Sequence, residues 1–317
     1  MAHASVLLKE TIDGLSFEEG DIYLDATVGS GGHMEEVWQR MKDKIILSGI
    51  DADETSVAIT KERLDLAGAK PKLAVLNFRN IDKAPAILDI NLPTKILFDL
   101  GWSADQFLGS GVAGVAGAGR GFSFQKNEPL LMTFKRNTEE EDTTAHDVVN
   151  KWSEESLVSI LYGYGEEKYA KRIARAIVER RKQQPIETSR ELAELVKGAV
   201  PIFYRFGRIH PATRTFQAVR IAVNDELQAL EEGIAKGFGI LKEGGRIAVI
   251  SFHSLEDRIV KNFFKSLVAE GKGTYPPNPP AGGGGKKPIT PSEAEINKNP
   301  RSRSAKLRIL QKIKKDD

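Results

Sequence analysis

The chain has 317 residues, no cysteine and a formal net charge of +2, which is length enough for one large domain or two ordinary ones with an ample core. The missing thiols exclude disulfides, thiolate metal sites, cysteine-ligated iron–sulfur clusters and any cysteine nucleophile. No apolar run reaches bilayer length and no basic-then-apolar leader opens the sequence, so a cytoplasmic protein with no membrane partner and no metal is expected.

Residues 21–25 are a short apolar strand, followed at its carboxyl end by Gly29-Ser30-Gly31-Gly32. Helical periodicity then runs through Val37 and Met41, and residues 45–47 rise into Gly49-Ile50-Asp51. Glycines let backbone N–H groups approach a ligand, and the following helix adds the positive end of its dipole. An acid closing the second strand is placed to accept hydrogen bonds from ribose hydroxyls. Two nucleoside ligands fit this unit, NAD and S-adenosylmethionine. The dinucleotide fingerprint wants glycine at its sixth position, where this chain has Met34, so an NAD-dependent oxidoreductase is the weaker reading.

Residues 72–76 and 95–99 are two more strands, with a helical stretch between them. Four strands alternating with helices predict a doubly wound, Rossmann-like α/β sheet. The alternation stops at the glycine- and alanine-rich residues 109–121, a predicted loop. Helices are predicted over 154–164 and 166–182, the second with Tyr169, Ile173 and Ile177 on one face. Lys168, Lys171, Arg172, Arg175, Arg180 and Arg181 cover the rest of that helix, either as a solvated face or as a phosphate contact. Thr188 with Glu191 forms a capping box for a third helix. Beyond it, residues 215–236 are one mostly buried helix and 246–251 a fifth strand. Ser254, backed by Asp257, is the predicted N-cap of the helix that follows. The domain plan is therefore a core of 1–104 and 211–271, a helical substrate-recognition insertion over 105–210, and a Pro/Gly-rich linker with a basic C-terminal tail over 272–317. Residues 305–313 of that tail are expected to form an edge strand. From Lys286 onward ten Lys/Arg face four Asp/Glu, a net +6 that leaves −4 for the rest; such a tail is either simply solvated or suited to a phosphate-rich partner.

Several strings together are similar to one family. They are residues 3–8, Leu24-Asp25-Ala26-Thr27-Val28-Gly29-Ser30-Gly31-Gly32-His33, Asp99-Leu100-Gly101, Arg120-Gly121-Phe122-Ser123-Phe124 and Tyr164-Gly165-Glu166-Glu167. His210-Pro211-Ala212-Thr213-Arg214-Thr215-Phe216-Gln217, residues 249–258 and residues 299–308 complete the set in order. The chain resembles the RsmH (MraW) family of ribosomal RNA cytosine-N4-methyltransferases. That resemblance implies a class I methyltransferase fold with an inserted helical domain, and a cytidine in the decoding centre of 16S rRNA as substrate. It implies S-adenosylmethionine held by Gly29, Gly31, Gly32 and His33, with Asp51 on the ribose and Phe78 against the adenine. Asp99 and Gln106 complete the cofactor set. The same resemblance puts His210, Ser251 and His253 on the substrate side, and makes small-subunit rRNA the partner; a homodimer is compatible with the sequence.

The residues narrow the chemistry further. Methylating cytosine C5 ordinarily needs a thiol that adds to the ring, and this chain has none. An exocyclic amine needs only a positioned acceptor for its proton. Asp99 is the first candidate for that acceptor and His253 the second. Arg120, Phe122, Phe124 and Arg214 are candidates to stack on or clamp RNA, with Phe122 and Phe124 alternatively anchoring their loop. The chain departs from the family pattern at Met34, at Trp102-Ser103-Ala104 and at Asn127-Glu128-Pro129-Leu130-Leu131-Met132-Thr133-Phe134. Leu131 and Thr133 stand where the family has an acid and an arginine. They motivate a further reading, a non-catalytic RNA-binding ribosome-assembly factor of the same fold.

Overall fold

The computed structural model describes residues 5–100, 119–134, 142–207, 209–276 and 287–314. The chain divides into two compact units, residues 1–103 with 227–317, and residues 104–226.

The first unit is built on a seven-stranded sheet. Its strands are β1 (Ile22–Asp25), β2 (Ile46–Asp51), β3 (Lys72–Val75), β4 (Lys95–Asp99), β5 (Arg246–Ser251), β6 (Gly273–Thr274) and β7 (Lys306–Lys312). The order is β3-β2-β1-β4-β5-β7-β6, with β1 to β5 parallel and β7 antiparallel to both neighbours. This is a doubly wound, Rossmann-like α/β sheet. Helices α1 (Leu8–Leu15), α2 (Gly32–Met41), α3 (Glu54–Leu66) and α4 (Ala84–Leu88) cover the first half of the sheet sequence. The strands are buried on both faces, as parallel strands covered by helices must be: Leu24, Ile96, Leu97, Phe98, Ile247 and Ile250 have essentially no exposed surface. In register, Asp25 lies beside Gly49 and Leu97, Asp51 beside Val75, and Asp99 beside Ile250. The carboxyl ends of neighbouring parallel strands therefore line up, which is where α/β proteins bind ligands.

The second unit is helical: α5 (Ala145–Lys151), α6 (Glu154–Gly163), α7 (Ala170–Gln183), α8 (Ser189–Ala199), the single turn α9 (Ile202–Arg205) and α10 (Thr213–Asn224). Its core is Val148, Leu161, Ile173, Leu192, Val196 and Val219 with their neighbours. Thr188 and Glu191 form the expected capping box on α8. Helix α7 starts at Ala170, later than its periodicity suggested, because Glu166 is left-handed and Glu167 turns back to bond the Tyr169 N–H.

Three expectations are corrected. The helix expected over residues 215–236 is two: α10 ends at Asn224, Asp225 adopts φ +50, and α11 (Glu226–Ile240) follows. Asn224 holds the break by accepting from the Phe134 N–H and donating to the Met132 carbonyl. Since Phe216, Ala218 and Val219 pack into the helical core, that unit extends to residue 226 and not to 210. Second, β7 is not at the edge; the two-residue β6 lies outside it. Third, the N-cap of helix α12 (Ser254–Ala269) is His253, not Ser254, and its box partner is Glu256, not Asp257.

Asp257 does other work. Its carboxylate accepts from Arg308 Nε at 2.7 Å and Lys306 Nζ at 3.1 Å, tying α12 to β7. Burial opposes its ionisation, but the bonds from Arg308 and Lys306 outweigh burial and hold its pKa below the ordinary carboxylate value. That contribution is present above the ordinary value and lost as pH falls through the lowered one. Part of the basic C-terminal charge is thus structural; Lys312 Nζ likewise bonds the Phe238, Gly239 and Leu241 carbonyls at the end of α11. Arg308→Met leaves a buried carboxylate short of its main partner and should cost about 3 kcal/mol in urea unfolding. Lys306→Met, at a more exposed position, should cost less than about 1 kcal/mol.

Candidate cofactor and catalytic site

The turn after β1 is built from positions that tolerate no side chain. Gly29 has φ +51 and Gly31 φ +80. A Cβ on Gly31 would stand 3.0 Å from Thr60 Cγ2, and one on Gly32 would collide with the Ser5 hydroxyl. Helix α2 begins at Gly32 with Gly31 as its N-cap, so no side chain caps its first turn. A helix start of that kind presents backbone N–H groups to a ligand. The turn is fastened from outside: Thr60 Oγ1 donates to the Gly29 carbonyl at 2.9 Å, and Arg63 donates to the Ser30 carbonyl at 3.0 Å while pairing with Glu35.

Met34 occupies the place where a dinucleotide fold has its third glycine, and it is wholly buried. Close helix–strand packing is obtained from the other side, because Gly49 on β2 faces it. A Cβ there would lie 3.1 Å from Met34 Sδ and would collide with Val28.

Asp51 is the hinge of the site. One carboxylate oxygen accepts from the Gly29 N–H at 3.0 Å and the other from the Asp53 N–H at 2.9 Å. A carboxylate has about four acceptor positions, so capacity remains for a ribose hydroxyl. Protein packs closely around the group, and burial raises its carboxyl to about 6 despite the backbone bonds from Asp53, Gly29 and Ala52. Asp25, which the sequence reading placed in the motif without a role, is a second enclosed acid. Burial raises it to about 7, against opposing hydrogen bonds from the Thr27 N–H and the Tyr23 hydroxyl.

Asp99 closes β4. Its N–H donates to Thr27 Oγ1 at 2.7 Å, and its carboxylate lies 3.6 Å from His33 Nδ1. Thr27 and His33 come from either side of the glycine turn, so the turn and the end of β4 form one assembly. Phe78 follows β3 in a 3-10 turn (Phe78–Lys83), edge-on to Phe98 with centroids 5.9 Å apart. Gly233 lets that ring lie flush, since a Cβ there would be 2.7 Å from it. Gly29, Gly31, Gly32, His33, Asp51, Phe78 and Asp99 are therefore all on or beside the carboxyl ends of β1 to β4. Gln106 lies outside the described residues.

At the end of β5, Ser251 is buried and its hydroxyl donates to the Lys306 carbonyl at 3.4 Å. His253 caps α12: its Nδ1 accepts from the Glu256 N–H at 3.4 Å, and Glu256 accepts from the Phe252 and His253 N–H groups. His253 Nε2 is 3.0 Å from the Glu256 carboxylate. The Nδ1 contact makes this imidazole the N-cap of α12. No sequence cue separates it from Ser254, since histidine is an uncommon N-cap.

The remaining candidates belong to the second unit and form a cluster of their own. Phe122 is buried and stacks on Phe134 at 5.6 Å; Phe124 stacks on His210 at 4.4 Å and meets Phe216 edge-on. Arg120 donates to the Thr133 and Phe134 carbonyls and Arg214 to the Glu166 carbonyl. These contacts fasten loops, which is the role weighed above as the alternative for Phe122 and Phe124.

A glycine turn entering a helix with no side-chain cap, an acid on the next strand and an acid–histidine pair beside them make a candidate nucleoside-binding site. The MraW methylase family model matches residues 1–313. Ribosomal RNA small subunit methyltransferase H of Clostridium botulinum is 46% identical over 325 aligned positions, covering 98% of this chain and 99% of that protein. The proteins of the same name from Limosilactobacillus fermentum and Geotalea uraniireducens are 42% and 44% identical, each with 98% of this chain and 98% of that protein covered. The chain belongs to the MraW methylase family, and its cofactor is S-adenosylmethionine. No helix among the described residues is long and apolar enough to cross a membrane.

Removing the Asp51 carboxylate should weaken S-adenosylmethionine binding by about tenfold or more in a folded Asp51→Asn protein, measured by calorimetry. Ribose hydroxyls favour the ionised acid, so wild-type affinity should weaken as pH falls below about 6, by up to about tenfold per unit. In Asp51→Asn that inflection should vanish. An inflection that persists there would move the titration to Asp25.

Proposed function

We propose that the chain methylates the exocyclic N4 amine of a cytidine in small-subunit ribosomal RNA, in the decoding centre, within the cytoplasm. The observation that carries this is family membership along almost the whole chain, with relatives above 40% identity named for small-subunit rRNA methylation. The absence of any thiol favours an amine over ring carbon C5, since that route lacks its usual nucleophile.

Bound S-adenosylmethionine supplies an electrophilic methyl group on a sulfonium. The protein's part is to hold its nucleoside by the glycine turn and Asp51, and to remove a proton from the amine. Asp99 is the proposed acceptor. Its backbone is fixed by Thr27, and it sits in a wall formed by β4 where water is partly excluded. His33 beside it keeps the carboxylate oriented toward one side. A weakly basic amine, delocalised into the ring, becomes a better nucleophile as that proton is drawn away. His253, engaged as the α12 cap, is assigned to positioning of the β5 end.

Asp99→Asn keeps size but loses the charged acceptor. Methyl transfer should fall by about a hundredfold or more, while cofactor affinity changes less. Mass spectrometry of small-subunit rRNA from a strain lacking the gene should show loss of one N4-methylcytidine. Loss of a 5-methylcytidine would overturn the mechanism, and unchanged rRNA would return the chain to a non-catalytic assembly role.

A further inference from the structure

The second unit hides most of its aromatic rings but displays a group of large apolar side chains in one short stretch. Ile202 and Phe203 are 69% exposed, Phe206 84% and Ile209 43%. Phe203 and Phe206 are three residues apart in and just after α9, a spacing that brings side chains to the same side of a helical turn. The sequence pointed instead at Phe122 and Phe124, whose faces are already covered by Phe134 and His210.

This turn is firmly built. Behind it, the Tyr204 hydroxyl donates to Glu167 at 2.8 Å, and the Tyr204 ring meets Tyr169 edge-on at 4.9 Å. Arg205 donates to the Val200 and Gly198 carbonyls, and the Gly207 N–H closes the turn onto the Tyr204 carbonyl. A stretch whose polar groups are spent on fastening it, with rings left outward, has the character of a docking surface.

The surroundings choose the occupant. Lys168 Nζ lies 5.2 Å from the Tyr169 ring and 5.0 Å from the Tyr204 ring, and Lys171, Arg172 and Arg175 on the adjoining turns of α7 are exposed. Glu167 beneath the turn is wholly buried and bonded, so its charge is not displayed. A second copy of the chain meeting this face across a two-fold axis would bring the lysines and arginines against their own equivalents. Rings for stacking beside cations for phosphates are instead the means by which single-stranded nucleic acid is held.

We propose that Ile202, Phe203, Phe206 and Ile209 form a stacking platform for a single-stranded segment of the RNA substrate, with Lys168 and the first turns of α7 engaging its phosphates. The inference rests on the rRNA-methylating function proposed above. The test is fluorescence anisotropy with a single-stranded RNA carrying the small-subunit target segment, using full-length protein. Phe203→Ala/Phe206→Ala should weaken binding about tenfold or more with the salt slope unchanged, and Phe206→Trp should retain it. Lys171→Gln/Arg172→Gln should instead flatten the salt dependence. S-adenosylmethionine affinity should stay at the wild-type value throughout, which separates a lost platform from a misfolded protein. Undiminished RNA affinity in the double alanine variant, with rRNA methylation intact, overturns the platform alone. A variant that only shifts sedimentation from dimer to monomer overturns it in favour of a second copy. Absence of rRNA binding and methylation in the wild type defeats the function proposed above, and the platform with it.

Discussion

The hydrogen bond from the Gly29 N–H to Asp51 is the constraint on which the candidate cofactor site depends. It joins the end of β2 to the turn leaving β1, so the acid and the glycine loop move as one body. The cost is an enclosed carboxylate, with its pKa lifted to about 6 by burial. Asp25, one strand over, is enclosed further still at about 7. Both acids favour protonation in the folded protein more than in the unfolded chain. Their sign is opposite to that of Asp257: stability declines as pH rises from the ordinary carboxylate range through about 6 to 7. Ligand hydroxyls donating to Asp51 would relieve part of that penalty, which is a physical reason for a binding carboxylate to be strained before the ligand arrives.

Much of the sheet was legible because buried parallel strands carry an unambiguous apolar run. β4 and β5 have the bounds their sequences suggested. The placement of the candidate cofactor residues was legible for a different reason. Their spacing is dictated by a strand, a turn with φ > 0 and a helix start, and those demands leave few residue types open. Met34 shows how far such a rule reaches. It breaks the dinucleotide fingerprint, yet Gly49 on the facing strand restores the close approach. That compensation lies outside the motif and is invisible to a reading confined to it.

What the sequence hid was the use of side chains already chosen as candidates. Arg120, Phe124 and His253 are of types that recognise RNA or move protons, and each is engaged in holding a loop or a helix end. The break at Asp225 hid within a continuous helical period because Val223 and Leu227 keep the apolar pattern across it. The signal was Asn224-Asp225, two residues that tolerate left-handed geometry and bond nearby backbone. Half-buried Arg220 pairs with Glu226 across that break at 2.8 Å.

The same distinction governs the basic charge. A count of lysines and arginines pointed to the C-terminal segment, but a count does not tell a charge displayed from a charge consumed. Lys306 and Arg308 neutralise Asp257, and Lys312 binds three helix-end carbonyls. In α7, by contrast, Lys171 and Arg172 face solvent, while Arg181 donates to the Val149 and Trp152 carbonyls. Phosphate recognition needs cations held near neutral or apolar surface without a carboxylate to satisfy them. By that criterion the start of α7 meets the requirement of the proposed platform, and Lys306, Arg308 and Lys312 serve the sheet.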